Sequence, residues 1–146
     1  MFKKSNLRVN ATAALHLKDA AGRPMFFKPT ASADGEEVKD CPVMVTVHGP
    51  GSDVYLNAQQ AAHRRLLAWA KEGNDLQARD AAKRASDVAD LMAAVTVGID
   101  GLDLEGQPVF DVVRDLYADP GCGYIVEQVN AFAADWANFS KGAPKA

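Results

Sequence analysis

The sequence predicts an α+β domain: a small antiparallel sheet of about three strands near the N-terminus, followed by a helical half of about four helices. Two observations carry that class. Apolar residues alternate with a period of two up to residue 48, and after Gly51 they recur at three- and four-residue steps. A third observation bounds it. The chain has 146 residues and no composition break that would divide it, so a single domain over 1–146 is expected, β-rich over 8–48, helical over 52–140, with a flexible tail over 141–146.

In "VNATAALHLK", Val9, Ala11, Ala13, Leu15 and Leu17 share one face, and Asn10, Thr12, His16 and Lys18 the other, as in a half-buried strand. "DAAG" (19–22) supplies a turn, and "RPMFF" (23–27) returns as a shorter strand with Pro24 at its start or edge. "KPTASADGEEVKD" (28–40) is polar and rich in turn formers, so a mobile loop is expected there. "CPVMVTVHG" alternates again, with Val43, Val45 and Val47 opposite Met44, Thr46 and His48. Three such strands with one apolar face need a helical cover.

The first helix is drawn by Tyr55, Ala58, Ala62, Leu66 and Trp69, which form one stripe, with Ser52 or Asp53 as N-cap and Gly73 as the left-handed stop. Asn74 or Asp75 is expected to cap a second helix from 75 to about 97. Its apolar end is Val88, Leu91, Met92 and Val95, and Asp80–Arg84 and Lys83–Asp87 are spaced as i,i+4 pairs. Three glycines and a proline break the pattern over 97–108. A short third helix follows, with Phe110, Val113, Leu116 and Tyr117 on one side. "DPG" (119–121) stops it. Ile125, Val129, Phe132, Trp136 and Phe139 then step by four, three, four and three, which predicts a fourth helix running to Phe139. Whether Trp69 and Trp136 serve the core or a binding surface is open at this stage.

Composition excludes several classes. The net charge of −3 offers no basic field for nucleic acid or an anionic membrane. Lys3, Lys4 and Arg8 are followed by no apolar h-region, so no secretory signal peptide is expected, and no apolar run approaches membrane-spanning length. Cys41 and Cys122 could pair. Two separate thiols in a reducing cytoplasm is the reading taken.

The junction "VHGPGSDVY" invites a phosphate-binding reading, because glycines stand between a strand and a helix. A Walker A loop needs a lysine beside its last glycine, and the next lysine is Lys71. The dinucleotide fingerprint fails at Val54, where a third glycine is required, and no second strand follows the helix to complete a βαβ unit. The junction therefore reads as a tight turn and N-cap, its glycines giving φ freedom and Pro50 stiffening the corner. His16 and His48 are placed to be neighbours if their strands pair, whereas His63 is expected on an exposed helix face. None has a partner at metal-ligand spacing. Asp100, Asp103 and Glu105 resemble a fragment of a calcium loop but lack its opening pattern and its twelfth-position glutamate. Ser52 lies in no nucleophile elbow, and neither cysteine has a basic neighbour in sequence. No residue is singled out as catalytic, cofactor-binding or metal-ligating, and no cofactor is expected.

Three local patterns resemble the tail assembly chaperones of long-tailed bacteriophages. They are "VHGPGSDVY" running into "AQQAAHRRLLA", then "LMAAVTVGIDGLDLEGQPV" (91–109), then "LYADPGCGYIVEQVNAFAADWANF" (116–139). The resemblance spans about residues 40–140. Relatives often carry a tryptophan at or near the position of Ile99, which is where this chain departs from them. The resemblance implies a non-enzymatic protein that binds the long, apolar tape measure protein in the host bacterial cytoplasm. Such a protein keeps its client soluble, helps recruit tail tube protein around it, and is absent from the mature virion. In many relatives a ribosomal frameshift makes a second, longer product. Self-association is compatible with this role; nucleic acid and membrane are not expected partners. The alternatives are a small structural tail protein of the completion or terminator type, retained in the virion, and a small enzyme with a site at the 48–53 turn.

Overall fold

The computed structural model describes residues 1–29, 40–73, 75 and 80–141. The fold is α+β, with a three-stranded antiparallel sheet and a helical half, as the periodicities predict. After a short N-terminal turn of helix, α1 (Lys4–Leu7), come β1 (Thr12–His16), β2 (Phe26–Phe27), β3 (Cys41–Pro42) and β4 (Met44–His48). Then follow α2 (Asp53–Lys71), α3 (Ala81–Val95), β5 (Thr96–Ile99), α4 (Val109–Ala118) and α5 (Gly123–Ala134). The last element among the described residues is a 3₁₀ turn, Trp136–Phe139. The loop expected over 28–40 falls mostly on residues 30–39, outside the described residues, as does most of the expected tail.

The sheet order is β1-β4-β5. β1 pairs with β4 from Thr12↔His48 to His16↔Met44. The alternation predicted for β4 holds, for Val45 and Val47 are fully buried while Met44, Thr46 and His48 face the other way. The third strand is a correction. Residues 23–27 do not complete the sheet. Asp19 Oδ1 accepts from Ala21 N and Arg23 N, so "DAAG" does turn the chain back, and Met25 N donates to Leu17 O at 2.9 Å. The returning segment then leaves β1 to form a separate two-stranded ribbon with β3. The third strand is instead β5, from a segment assigned by its sequence to the end of a helix and a linker.

Helix α3 stops at Val95 because Thr96 turns its hydroxyl onto Met92 O at 2.8 Å, and the β-branched run that follows prefers extended backbone. The start of α3 also differs from expectation. Asp80 is its N-cap, accepting from Lys83 N at 2.8 Å, so Asp80 serves the backbone and not an i,i+4 partner. Asn74 lies outside the described residues, and Asp75 has no helical conformation. The Lys83–Asp87 pair forms at 2.9 Å.

α3 is the central helix, packed on α2, α4 and α5. Its Ala89, Met92, Ala93 and Val95 meet Val45 and Val47 of the sheet, Val113 and Tyr117 of α4, and Ile125 and Val129 of α5 in one continuous core. Asp90 joins three helices at the rim, accepting from Arg114 Nε at 2.8 Å with Arg65 at 3.9 Å. α4 buries Val113 and Tyr117, but Phe110, expected in that stripe, is exposed. The fourth helix is shorter than its periodicity implies. It ends at Ala134, since the Asp135 carboxylate accepts from Ala137 N and starts the 3₁₀ turn. That turn buries Phe139 completely and leaves Trp136 56% exposed, which splits the predicted stripe.

Candidate functional site

The strand-to-helix junction at 48–53 is closed by the protein's own C-terminal turn. Ser52 is the N-cap of α2: its Oγ accepts from Tyr55 N at 3.2 Å and donates to Gly49 O at 2.7 Å. Gly49 N donates to Ala11 O and Ser52 N to Gly49 O. Neither Gly49 nor Gly51 has a positive φ, which corrects the reason for their presence. A Cβ on Gly49 would lie 2.6 Å from Phe139 Cγ and Cε1, and one on Gly51 would lie 2.8 Å from a Val9 methyl and 3.4 Å from the Trp136 ring. Glycine is required there for close approach. Asn10 N donates to Phe139 O at 2.7 Å and closes the socket from β1. Among the groups a phosphate loop would present, the Ser52 hydroxyl and the Gly49 amide are thus already committed within the fold.

The other candidate residues are dispersed. His16 and His48 sit on paired strands but at opposite ends, His16 opposite Met44 and His48 opposite Thr12. Four residues of strand separate them by about 13 Å. His16 Nε2 donates to Met25 O at 2.8 Å, with the Phe26 ring edge-on to it. His63 is exposed on α2, as expected. Asp103 Oδ1 accepts from Glu105 N and stabilises the loop after β5, where Glu105 has a φ of 49°. Among the described residues no group of three or more His, Cys, Asp or Glu converges as a metal ion would need. No disulfide joins Cys41 to Cys122; one stands in the β2–β3 ribbon and the other at the turn before α5. No helix among the described residues is long and apolar enough to cross a membrane.

Two buried hydroxyls form a pair under the helices. Thr96 Oγ1 donates to Met92 O, so the Tyr117 hydroxyl, 2.9 Å away, donates to Thr96. Burial pushes the Tyr117 hydroxyl up to about 12, with the Thr96 contact partly opposing the shift. This pair pins α4 to the α3–β5 corner.

Tyr117 also floors a groove of about 500 Å³ between α3 and α5. Ala81, Ala85 and Val88 form one wall and Gly123 and Val126 the other, with Arg84 and Glu127 at the rim. The spacing of Ala81, Ala85 and Val88 is helical, and an alanine run on a charged helix is the one sequence signal that points here. Small residues at a helix surface look like neutral fill, so this spacing alone does not announce a groove. A shallower recess of about 340 Å³ lies between α2 and α3, with Ala62, Leu66, Val88 and Leu91 at its base. Comparisons with profiles of known protein families, with curated proteins and with solved structures find no match to this chain.

Proposed function

We propose that this chain is a phage tail assembly chaperone, acting by contact on the tape measure protein in the host cytoplasm and helping to recruit tail tube subunits. The identity of the client comes from the sequence resemblance over residues 40–140. The structural observation that supports the reading is the apolar groove between α3 and α5. Its small wall residues let a second helix come close, and an amphipathic client helix would place apolar residues at i, i+3, i+4 and i+7 into it. A long, repetitive client would hold many copies by weak contacts that add in avidity. A contact role also fits the junction at 48–53, where an internal aromatic ring occupies the space beside Gly49.

The test is co-expression with a tape measure protein from the same genome. The chain is expected to raise that protein's soluble yield and to co-purify with it. Ala81→Glu with Ala85→Glu, both on exposed positions of α3, should abolish co-purification while leaving the far-UV circular dichroism unchanged. No effect of the wild-type chain on client solubility refutes the proposal. Stoichiometric presence of the chain in purified virions would instead favour the retained tail protein.

A further inference from the structure

The outer edge of β1 presents a row of backbone groups that the fold leaves unpaired. Gly49 N donates to Ala11 O and Leu17 N to Val43 O, so the odd-numbered residues of β1 turn their backbone toward β4. The even-numbered residues turn theirs outward. Both ends of that outward row are closed by the C-terminal part of the chain. Asn10 N donates to Phe139 O at 2.7 Å, and the Gln128 amide exchanges two hydrogen bonds with Lys18, both at 2.8 Å. Between them stand the backbone N–H and C=O groups of Thr12, Ala14 and His16, and no group among the described residues bonds to them. Thr12 and Ala14 are exposed.

Natural proteins commonly blunt such an edge with charge, proline or a bulge. Residues 11–17 carry no lysine, arginine, acid or proline, and the register of β1 with β4 is unbroken. The sheet's other edge differs. A register shift at Thr46/Val47 interrupts the β4–β5 pairing, and β5 packs on α4.

The surroundings define what fits the open stretch. Phe132 stands one helical turn beyond Gln128, half-buried, with its ring 5.7 Å from that of Phe139. A strand laid on the edge would set alternate side chains against Phe132 and the others in solvent beside Thr12 and His16. Charge around the edge is mainly positive. Arg8 and Lys18 are exposed at its two ends, with Lys3, Lys4 and Lys141 beyond Arg8 and Arg23 beyond Lys18. Of the acids, Asp19 and Asp135 hold backbone amides, Glu127 lies at the α3–α5 groove, and Asp53 stands in the first turn of α2.

From these features we infer that the outer edge of β1 accepts an extended segment of a partner protein as a further strand. That segment alternates apolar and polar residues over the five-residue length of β1, with acidic residues flanking it. It is a strand rather than a helix and lies outside the α3–α5 groove, so the inference does not depend on the client proposed above.

Amide hydrogen exchange of the full chain, followed by NMR, reads the edge residue by residue. In the free chain the Ala13 and Leu15 amides should exchange slowly, and those of Thr12, Ala14 and His16 fast. The probe is the peptide acetyl-Glu-Glu-Val-Thr-Val-Thr-Val-Glu-Glu-amide. At millimolar concentration it should slow the three outward amides by about tenfold, as for an edge nine-tenths occupied. Backbone N-methylation of its valines in one version and of its threonines in another should abolish the effect in one version only, because one set of N–H groups faces β1. Arg8→Glu with Lys18→Glu, both at exposed positions, should weaken the peptide by about tenfold at low salt. Equal behaviour of the two methylated peptides overturns the inference, as does an affinity indifferent to the charge reversal or no slowing at millimolar peptide. Outward amides already protected in the free chain at every concentration overturn it too, since the edge is then covered from within. Protection that grows with protein concentration alone gives the edge to a second copy and overturns the partner assigned here.

Discussion

Phe139 decides how the glycine-rich junction at 48–53 is used. Its ring fills the space where a Cβ on Gly49 would stand, and its carbonyl holds Asn10. Phe139→Ala should cost about 3–5 kcal/mol in urea unfolding, as expected for emptying a fully buried aromatic site. Gly49→Ala should cost roughly 1–3 kcal/mol by overpacking the same socket from the other side. Tyr117 provides a pH signature. Its hydroxyl is raised from 10.0 to about 12 in the folded chain. Below pH 10 both states keep the proton; between 10 and 12 only the unfolded chain loses it, so the folded state binds more protons and stability falls as pH rises. The loss should reach about 2–3 kcal/mol by pH 12. In Tyr117→Phe this component should vanish, at a cost near neutral pH of about 0.5–1.5 kcal/mol for the lost hydrogen bond. Denaturant midpoints of the two proteins across that pH range measure the difference.

At the scale of elements, β5 and the end of α5 are where local pattern and structure part. "VTVGI" is β-branched around one glycine, a strand signal that was overshadowed by the strong helical stripe just before it. Its assignment is open to test, because Gly98 has no positive φ and a Cβ there would meet no atom within 4 Å. Gly98→Thr should therefore leave stability unchanged or raise it by up to about 1 kcal/mol, as expected for a strand site. A fall of similar size in the thermal midpoint would contradict it. α5 is anchored by a different device: the Gln128 amide accepts from Lys18 N and donates to Lys18 O, both at 2.8 Å. It thereby satisfies one residue of the chain beyond β1 as a neighbouring strand would. No sequence period announces such a contact, since its partners are 110 residues apart.

At the scale of the molecule, the sheet and the helices share one core, in which Val45 and Val47 meet residues of α3, α4 and α5. A chain of this size with one core should unfold in a single cooperative step. Far-UV circular dichroism, which follows the helices, and tryptophan fluorescence, which includes Trp136 on the C-terminal turn, should give coincident urea curves. Separate midpoints would divide the β-rich part from the helical part. The proposed client groove lies on this single body, between α3 and α5.

The sequence by itself determined the α+β class, the period-two face of β4, a cap at Ser52 or Asp53, the helical stripe of α2 and the burial of Val113, Tyr117, Ile125 and Val129. Each depends on neighbours within a few residues, where strand and helix periodicity and capping chemistry act. Only the tertiary structure decided that β5 completes the sheet and that His16 and His48 stand apart. It also decided that the α3–α5 groove exists and that Gly49 and Gly51 are small to admit Phe139 and Val9. Those outcomes depend on which distant segments meet, and that choice is made by packing one core rather than by any local preference.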